Sequence, residues 1–534
     1  MARLIFITLL FSTLTLQAQP TGNMGKYMED FDYFVENLIA THPDPFTAFG
    51  NEIGFYNAKQ KTREEVLKVS SDIEFIALLN RFISQLEDGH TYINKSPQTV
   101  GAKTKYLPLR FKASSDRLFI QNTAEEYKML IGKPVIAIND IPIDSLLNRV
   151  TACFPSENIS GRYFGLMYLL WNNINAREFF GNRSDTLKLT LNGSDRNISL
   201  DIPYTVKVSW LDRKSSVSLP NRNSWINWSM IGEDGKIGYF QWNSILSREL
   251  LEEVYRDNPQ TIERSLRWVY GNSSKEKRTG DIQKDIMQVP ALYEQFFNLL
   301  QEMQSRGSKY LIIDLRNNSG GMTPLIRPLL YILYGDRYLN FDFDATYTVK
   351  ISPLLLRKYG VTIDQYNKRN QTDYVMGDYH STNFGNVPGE SLRDKVELVE
   401  NGYMGLGSEY VRRSRNLNVK PHIVVLTSIH TFSAAYHFTY FLKKLGNATI
   451  VGVAPRQAGN AFMENTPIEL PNTKITGSIS NAAQILFKRD SPKAKLLYPD
   501  FEMDWKEFNQ YHFDNEAELL KALELIDRNQ INMR

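Results

Sequence analysis

The chain has 534 residues, which is too long for one hydrophobic core and predicts roughly two to four domains. Hydrophobic residues make up 42% and charged residues 23%, a globular composition that excludes wholesale disorder. The net charge of +3 and the absence of a basic run with interleaved aromatic residues give no case for nucleic-acid binding.

The N-terminus has the pattern of an export signal. Arg3 is followed by an apolar stretch from Leu4 to Leu16, and the small residue Ala18 marks a cleavage point. The stretch is too short to span a bilayer. We therefore predict a cleavable signal peptide over residues 1–18 and a periplasmic or secreted mature protein without a membrane span.

Cys153 is the only cysteine in the sequence. A single cysteine excludes an intramolecular disulfide and weakens any proposal of a cysteine nucleophile or a thiolate metal site. We interpret Cys153 as a small, buried apolar residue.

Residues 19–100 are predicted to form an N-terminal helical domain. Apolar residues recur at helical spacing from Tyr27 to Ala40 and again from Asp72 to Leu86, where Asp72 suits the N-cap position. Gly89 fits a helix stop, and a short strand is predicted after the segment Asp88-Gly89-His90-Thr91.

Residues 101–210 are predicted to form a β-rich module. Leu107–Phe111 and Arg117–Ile120 have strand patterns, and Ile131–Ile143 reads as two strands joined by an Asn-Asp turn. Modules of this kind hold peptide ends by strand addition, or simply pack and bind nothing, and the pattern leaves both possibilities open. The polar segment 211–235 is interpreted as a linker.

Strands and helices alternate from residue 236 to residue 534, which predicts a layered α/β core. One apolar strand, Tyr310–Leu315, runs into the turn Asn317–Gly321 and then a helix from Pro324 to Tyr334. A second, Ile423–Leu426, precedes Thr431–Ala435 and a helix from Ser433 to Leu445.

Both turns offer groups suited to acyl transfer. Ser433 lies where a strand gives way to a helix, and the unpaired amide of Ala434 could stabilise an oxyanion there. Taken alone, Ser433 fits an ordinary N-cap better. Gly320 and Gly321 shift the interpretation towards a nucleophile, because paired glycines permit close approach of a ligand and could direct a further amide at the same oxyanion.

The glycine turn is not a phosphate loop, because no Gly-Lys-Ser/Thr follows it. Asp314 and Arg316 are interpreted as holding the turn by local hydrogen bonds.

These segments resemble the serine peptidases of the C-terminal-processing and tricorn-core family. The resemblance rests on Asp314-Leu315-Arg316 with Gly320-Gly321, and on Thr431-Phe432-Ser433-Ala434 after another strand. Looser similarity extends to Asp88–Thr91, to the module at Ile131–Ile143, and to Tyr498-Pro499-Asp500 with the closing helix. The resemblance implies a multidomain, layered α/β (crotonase-like) catalytic core over residues 236–534, a PDZ-like module over residues 101–210 and Ser433 as the nucleophile.

The general base has three candidates. One branch of this family uses a lysine about two dozen residues after the serine, but Gly452–Asn460 contains only Arg456, which stays protonated. The tricorn-like branch uses a histidine in an Asp-x-His setting, which implies His90. His430 and His437 lie nearer to Ser433 in sequence and remain alternatives, and His90 could instead cap the preceding helix.

The sequence also leaves open which group orients the base and whether the protein is catalytically active. Glu464 and Asp490 are the candidates for an orienting carboxylate, and Tyr436 stands where the family often has glutamate. No His-Glu-x-x-His, cysteine pair or calcium loop is present, so we predict no metal or cofactor. We predict an exported serine peptidase acting on a peptide or protein substrate. A non-catalytic peptide-binding member of the same fold and an esterase using the same serine are the alternatives.

Overall fold

The computed structural model describes residues 23–94, 104–181, 185–193, 195–219, 224–257, 259–260, 262–271, 277–402 and 408–531. The predicted signal peptide, residues 1–18, lies outside the described residues. Among the described residues, none of the helices has the length and apolar character needed to cross a bilayer.

The N-terminal part is helical, as the apolar spacing predicts. It consists of α1 (Asn23–Thr41), α2 (Glu52–Val66) and α3 (Asp72–Ser84), followed by the short strand β1 (Tyr92–Ile93). The apolar faces of these helices pack together in one core cluster that includes Phe31, Phe55 and Phe82. The N-cap of α3 is Ser71 rather than the predicted Asp72, because the Ser71 side chain accepts the hydrogen bond from the amide of Glu74.

The middle part combines short strands with three helices around a separate core cluster. Its elements are β2 (Leu109–Ala113), β3 (Leu118–Thr123), β4 (Val135–Ile138), β5 (Ile141–Pro142), α4 (Ile143–Val150), α5 (Ile159–Leu170), α6 (Asn173–Phe180), β6 (Thr186–Leu191) and β7 (Ile198–Pro203). β2 pairs with β3, and the other strands form an antiparallel sheet in the order β5-β4-β6-β7. Asn139 and Asp140 both have positive φ, as the two-residue turn between β4 and β5 requires.

The remaining part is a mixed α/β core. Its elements are β8 (Ile226–Ile231), β9 (Ile237–Trp242), α7 (Arg248–Asp257), α8 (Ile262–Gly271), α9 (Ile282–Gln288), α10 (Leu292–Ser305), β10 (Tyr310–Asp314), α11 (Ile326–Tyr334), α12 (Asp336–Leu339), β11 (Thr346–Lys350), α13 (Pro353–Tyr359), α14 (Ile363–Asn370), β12 (Tyr379–Asn383), α15 (Leu392–Glu397), α16 (Ser408–Ser414), β13 (His422–Thr427), α17 (Ala434–Gly446), β14 (Thr449–Gly452), β15 (Ala461–Glu469), β16 (Thr476–Ile485), β17 (Phe501–Glu502), α18 (Trp505–Gln510) and α19 (Ala517–Asp527).

A six-stranded sheet in the order β17-β14-β13-β10-β9-β8 forms the centre of this core. β10 and β13 are parallel neighbours, with Asp314 opposite Leu426. Their residues are buried almost throughout, as expected for strands covered by helices on both faces. Because parallel strands end at the same sheet edge, the turns after β10 and β13 emerge side by side.

A second, antiparallel sheet reaches back to the N-terminal part. Its path is β1-β16-β11-β12, and β15 pairs with β16. β1 pairs with β16 through Tyr92 opposite Ser478, and the hydroxyl of Thr91 accepts a 3.0 Å hydrogen bond from the amide of Ser480. This pairing fixes the segment Asp88–Thr91 against the α/β core.

The segment predicted as a linker, residues 211–235, contains strand β8, so it is not wholly a linker. β8 pairs antiparallel with β9 over Ile226–Ile231 and forms the edge of the six-stranded sheet. Its central residues are only half-buried, and this polar edge pattern conceals the strand in the sequence.

Candidate active site

Ser433 lies on a sharp turn between β13 and α17. Its backbone has φ 53° and ψ −126°, a combination that residues with a Cβ rarely adopt, and its side chain makes no capping hydrogen bond to the helix. The side chain is half-buried, whereas the flanking Phe432 and Ala434 are buried. Ser433 thus stands at the N-cap position of α17 without capping the helix through its side chain, and its conformation is that of a strained strand-to-helix turn.

The glycine turn after β10 lies directly against Ser433. A Cβ on Gly320 would lie 2.6 Å from the Cβ of Ser433 and 3.0 Å from the amide nitrogen of Ala434, so only glycine fits there. The amide of Gly320 donates to Oδ1 of Asn318 at 2.8 Å. Among the described residues, the amides of Gly321 and Ala434 have no hydrogen-bond acceptor. These two amides are consequently available to an oxyanion, whereas that of Gly320 is already engaged.

His90 approaches Ser433 from the N-terminal part of the chain. Its Nε2 lies 3.1 Å from Oγ of Ser433, within hydrogen-bond reach. The imidazole stacks on the ring of Phe432 with centroids 4.5 Å apart. Burial lowers the pKa of His90 below its usual value, and the Arg456 cation acts in the same direction, while Asp88 and Glu464 oppose the shift.

Asp88 holds the backbone around His90 rather than its ring. Its Oδ1 accepts the amide of His90 at 2.8 Å, and its Oδ2 accepts the hydroxyl of Thr91 at 2.5 Å. The Nε2 atom of His42 lies 3.3 Å from Oδ2, and both side chains are completely buried. The pKa of Asp88 is lowered despite burial, because His42, His90 and Thr91 all favour the carboxylate.

The other two candidate histidines are engaged elsewhere. Nε2 of His437 lies 2.7 Å from Oε1 of Gln484, and its Nδ1 lies 3.3 Å from the hydroxyl of Thr323. His430 packs edge-on against Phe164 with centroids 5.4 Å apart. Burial lowers the pKa of each of these histidines to about 4. Among the described residues, neither imidazole has a hydrogen bond to the hydroxyl of Ser433.

The two candidate orienting carboxylates differ in their surroundings. Asp490 is exposed, whereas Glu464 is half-buried, accepts a 2.8 Å hydrogen bond from Lys358 and raises the pKa of His90. Nδ1 of His90 is buried and has no side-chain hydrogen-bond partner among the described residues, while the backbone of Phe462 favours the protonated imidazole. Tyr436, where the family often has glutamate, is completely buried in the core.

Two residues that the sequence does not single out support this arrangement. Oε1 of Gln457 accepts the amide of Ser433 at 2.5 Å. Glu157 accepts the amide of Gly89 at 3.1 Å and that of Ala458 at 2.7 Å, so it connects the His90 segment to the Gln457 segment. Burial raises the pKa of Glu157 to about 8. Side-chain-to-backbone contacts between distant segments leave no signal in a single sequence.

A buried ion cluster fixes the base of the glycine turn. Arg316 contacts Asp314 through Nε at 2.9 Å, as the local interpretation predicts. It also contacts Glu516 and lies 3.0 Å from Glu518, beside helix α19. Such a buried cation is stable only with paired carboxylates. Glu518 in turn contacts Lys112 of β2 at 2.6 Å, so the cluster joins the turn to the middle part of the chain.

The group Asp88, His90 and Glu157 also has the proximity of a metal-ligand set. The carboxylate oxygens of Asp88 and Glu157 already accept protein hydrogen bonds, and Nε2 of His90 faces Ser433. These contacts fit a hydrogen-bonded catalytic segment better than a metal site.

Comparison with known proteins agrees with the fold. Residues 282–479 match the family model described as Peptidase family S41. The crystal structure of mature CPAF is 15% identical, covers 94% of this chain and 98% of its own, and superposes with a TM-score of 0.56. Mature CPAF complexed with lactacystin is 16% identical, covers 94% of this chain and 99% of its own, with a TM-score of 0.52. None of the curated protein sequences matches the chain.

At this identity, the likeness to CPAF shows a shared fold. The family match spans the glycine turn and the Ser433 turn, which are the two segments that carry the resemblance in the sequence. Over residues 282–479 the chain is therefore similar to peptidase family S41, and this match supports a serine-type peptidase.

Proposed function

We propose that the protein is an exported peptidase in which Ser433 attacks the carbonyl carbon of a peptide bond and His90 is the general base. The observation that carries this proposal is the 3.1 Å distance between Nε2 of His90 and Oγ of Ser433. As Oγ bonds to the carbonyl carbon, its proton passes to Nε2. The imidazolium then donates that proton to the leaving amine, an acyl-enzyme remains, and water releases it by the same steps.

The tetrahedral intermediate carries a negative oxygen that needs donors. The amides of Gly321 and Ala434 supply them in this proposal, because both lack an acceptor among the described residues. Ala434 follows Ser433, and Gly321 follows Gly320, which lies against Ser433. Gly320 contributes close approach rather than a donor, since its own amide is bound by Asn318. Removal of an oxyanion donor typically costs about two to three orders of magnitude in kcat.

The protonation state of His90 suits a base. Its lowered pKa keeps the imidazole neutral near pH 7, so Nε2 can accept a proton. Glu464 is the better candidate for an orienting carboxylate, because it favours the protonated form of His90 electrostatically, while Asp490 is exposed.

The middle part of the chain is proposed to hold the substrate as a PDZ-like module. An apolar cavity of about 300 Å³ lies between β2 and α5, lined by Leu107, Leu109, Phe111, Met167 and Leu170 among others. Within the described residues β2 pairs only with β3, so its other edge has no strand partner and is the proposed place for an added strand. In this proposal the chain has a helical domain over residues 19–100, a binding module over residues 101–210 and a catalytic core over residues 236–534. The signal peptide, residues 1–18, is removed on export.

A fluorophosphonate probe tests the nucleophile directly. We expect the purified full-length protein to be labelled at Ser433, with labelling abolished in Ser433→Ala and strongly reduced in His90→Ala. His422→Asn is the matched histidine control, because the imidazole of His422 contacts the hydroxyl of Thr449 and, among the described residues, neither Ser433 nor Gln457. A folded protein that resists labelling and cleaves no peptide would instead be a non-catalytic peptide-binding member. Labelling together with hydrolysis of small acyl esters but not of peptides would identify an esterase.

A further inference from the structure

A cavity of about 510 Å³ opens beside the candidate catalytic pair. Its wall includes Gly89, which precedes His90, and Phe432, which precedes Ser433. The opposite sides come from α3, from α5 and from the segment that connects α4 to α5. A group of the substrate that flanks the scissile bond can therefore enter this cavity while the carbonyl carbon lies at Ser433.

Arg456 forms part of the cavity wall and is held in a fixed position. Its guanidinium lies 4.0 Å from the ring centroid of Phe164 and 4.3 Å from that of Phe432. Nη1 donates to the backbone carbonyl of His430 at 3.3 Å. Contacts between a guanidinium and aromatic rings orient the planar fork without using up its N–H donors.

The charge of Arg456 has no carboxylate partner. Among the described residues, no Asp or Glu oxygen lies within ion-pair distance of its guanidinium. By contrast, Arg316 and Arg278 each contact two or more carboxylates. Arg456 is half-buried, and a partly desolvated guanidinium without an anion is stabilised by a ligand that supplies one. The contact with His430 satisfies a single N–H, and the rest of the fork is left for such a ligand.

Arginines outnumber glutamates among the residues that line the cavity. Arg81, Arg149, Glu157 and Glu178 also line it. Arg81 is 3.1 Å from Glu65, and Arg149 donates to the carbonyl of Phe179. Glu157 carries a proton near pH 7, because burial raises its pKa to about 8. Its carboxyl accepts two backbone amides and makes no ion pair with Arg456 among the described residues, although the two groups interact electrostatically.

We propose that Arg456 is a specificity residue that binds a carboxylate of the substrate peptide in this cavity, so that the enzyme favours peptides with an acidic group next to the scissile bond. The carboxylate comes from an Asp or Glu side chain or from a free C-terminus. This inference rests on the proposed function only for the position of the scissile bond. The carboxylate site itself does not require Ser433 to be a nucleophile.

Peptide binding to the full-length Ser433→Ala variant tests the site without turnover. Fluorescein-labelled peptides with Asp or Glu at successive positions are compared, by fluorescence anisotropy, with Asn or Gln versions of the same sequence. Each is made with a free and an amidated C-terminus. We expect the acidic version to bind about ten- to a hundredfold more tightly at one position. Tighter binding that disappears on amidation alone identifies the C-terminus as the source of the carboxylate.

Variants assign the preference to Arg456. In the Ser433→Ala background, Arg456→Gln should remove the difference between acidic and amide peptides, and Arg456→Lys should keep part of it. Arg81→Gln is the matched control, because Arg81 lines the same cavity but is paired with Glu65, and it should keep the preference. If Arg456→Gln does not fold, two other results support the site. The preference for acidic peptides should disappear as the NaCl concentration is raised, and Arg456→Lys should keep part of that preference.

The outcomes separate the two proposals. Equal binding of acidic and amide peptides at every position, or a preference that survives in folded Arg456→Gln, overturns the carboxylate site even if the probe labels Ser433. A clear acidic preference in a protein that neither reacts with the probe nor cleaves peptides supports the carboxylate site and overturns the hydrolytic mechanism.

Discussion

The side-chain oxygen of Gln457 accepts the backbone amide of Ser433 at 2.5 Å. This contact holds the residue whose backbone is strained, at φ 53° and ψ −126°, and it uses the Ser433 amide, so that amide is not available as an oxyanion donor. The turn therefore keeps its conformation through a partner from the segment after β14.

We therefore expect Gln457→Leu to lower the rate of fluorophosphonate labelling strongly and the free energy of unfolding only modestly. Loss of the acceptor leaves the Ser433 amide unsatisfied, which costs about 1–3 kcal/mol, and relaxation of the turn moves Oγ away from His90. We expect the rate of fluorophosphonate labelling to fall about ten- to a hundredfold while the protein stays folded. Gln457→Glu keeps an acceptor and should recover part of the rate. An unchanged rate in Gln457→Leu would show that the contact does not position Ser433.

Gly320→Ala should abolish labelling of Ser433. The added methyl group would lie 2.6 Å from Cβ of Ser433 and 2.9 Å from the carbonyl oxygen of Phe432, and Gly320 has φ +103°. The backbone strain alone is worth about 1–3 kcal/mol, and the clash must displace the nucleophile turn.

Gly360→Ala is the matched control for this prediction. Gly360 also has positive φ, at +62°, but a Cβ there meets nothing within 4 Å. Both variants should show a lower midpoint of thermal unfolding, and only Gly320→Ala should lose labelling. Normal labelling in Gly320→Ala would contradict the close approach of the two turns.

The central strands and the contact between His90 and Ser433 were predictable to different extents. β10 and β13 are buried on both faces, so they appear in the sequence as continuous apolar runs that end in recognisable turns. Their juxtaposition follows from parallel pairing. The choice of His90 rested on family resemblance, because its 343-residue separation from Ser433 leaves no local pattern.

The supporting residues were not predictable for a physical reason. Glu157 and Gln457 act through hydrogen bonds to the backbone of Gly89, Ala458 and Ser433, and any residue type at those positions offers the same amide. Strand β8 was missed because its apolar residues alternate with Asn227 and Ser229 inside a Ser/Asn-rich segment, a composition that is typical of a linker.

Glu157 should make the protein less stable as pH rises. Its folded pKa, about 8, lies above the value of 4.5 expected in the unfolded chain, so the folded state binds more protons between these pH values. The free energy of unfolding therefore falls with increasing pH across that window, by on the order of a few kcal/mol from this group. Urea denaturation at pH 5, 6.5 and 8 measures the slope.

Glu157→Gln isolates this contribution. The amide does not titrate, so the variant should show a shallower loss of stability across the same pH window. It also keeps one acceptor for two backbone amides, which should cost about 1–3 kcal/mol at pH 5. Glu302→Gln, which removes an exposed carboxylate paired with Arg306, should follow the wild-type slope. Parallel pH slopes for wild type and Glu157→Gln would contradict the raised pKa.

The pH dependence of kcat/KM should report His90, with its acidic limb below the ordinary histidine value of 6.5 because burial lowers the pKa of His90. Glu464 favours the imidazolium and Arg456 disfavours it, so the two charges predict opposite shifts. Glu464→Gln should move the limb to lower pH and Arg456→Gln should move it to higher pH, measured with an uncharged peptide. The two substitutions remove charges of opposite sign, so an electrostatic effect shifts the two limbs in opposite directions. A general loss of packing around His90 would shift both limbs in the same direction, and that result would exclude the electrostatic assignment.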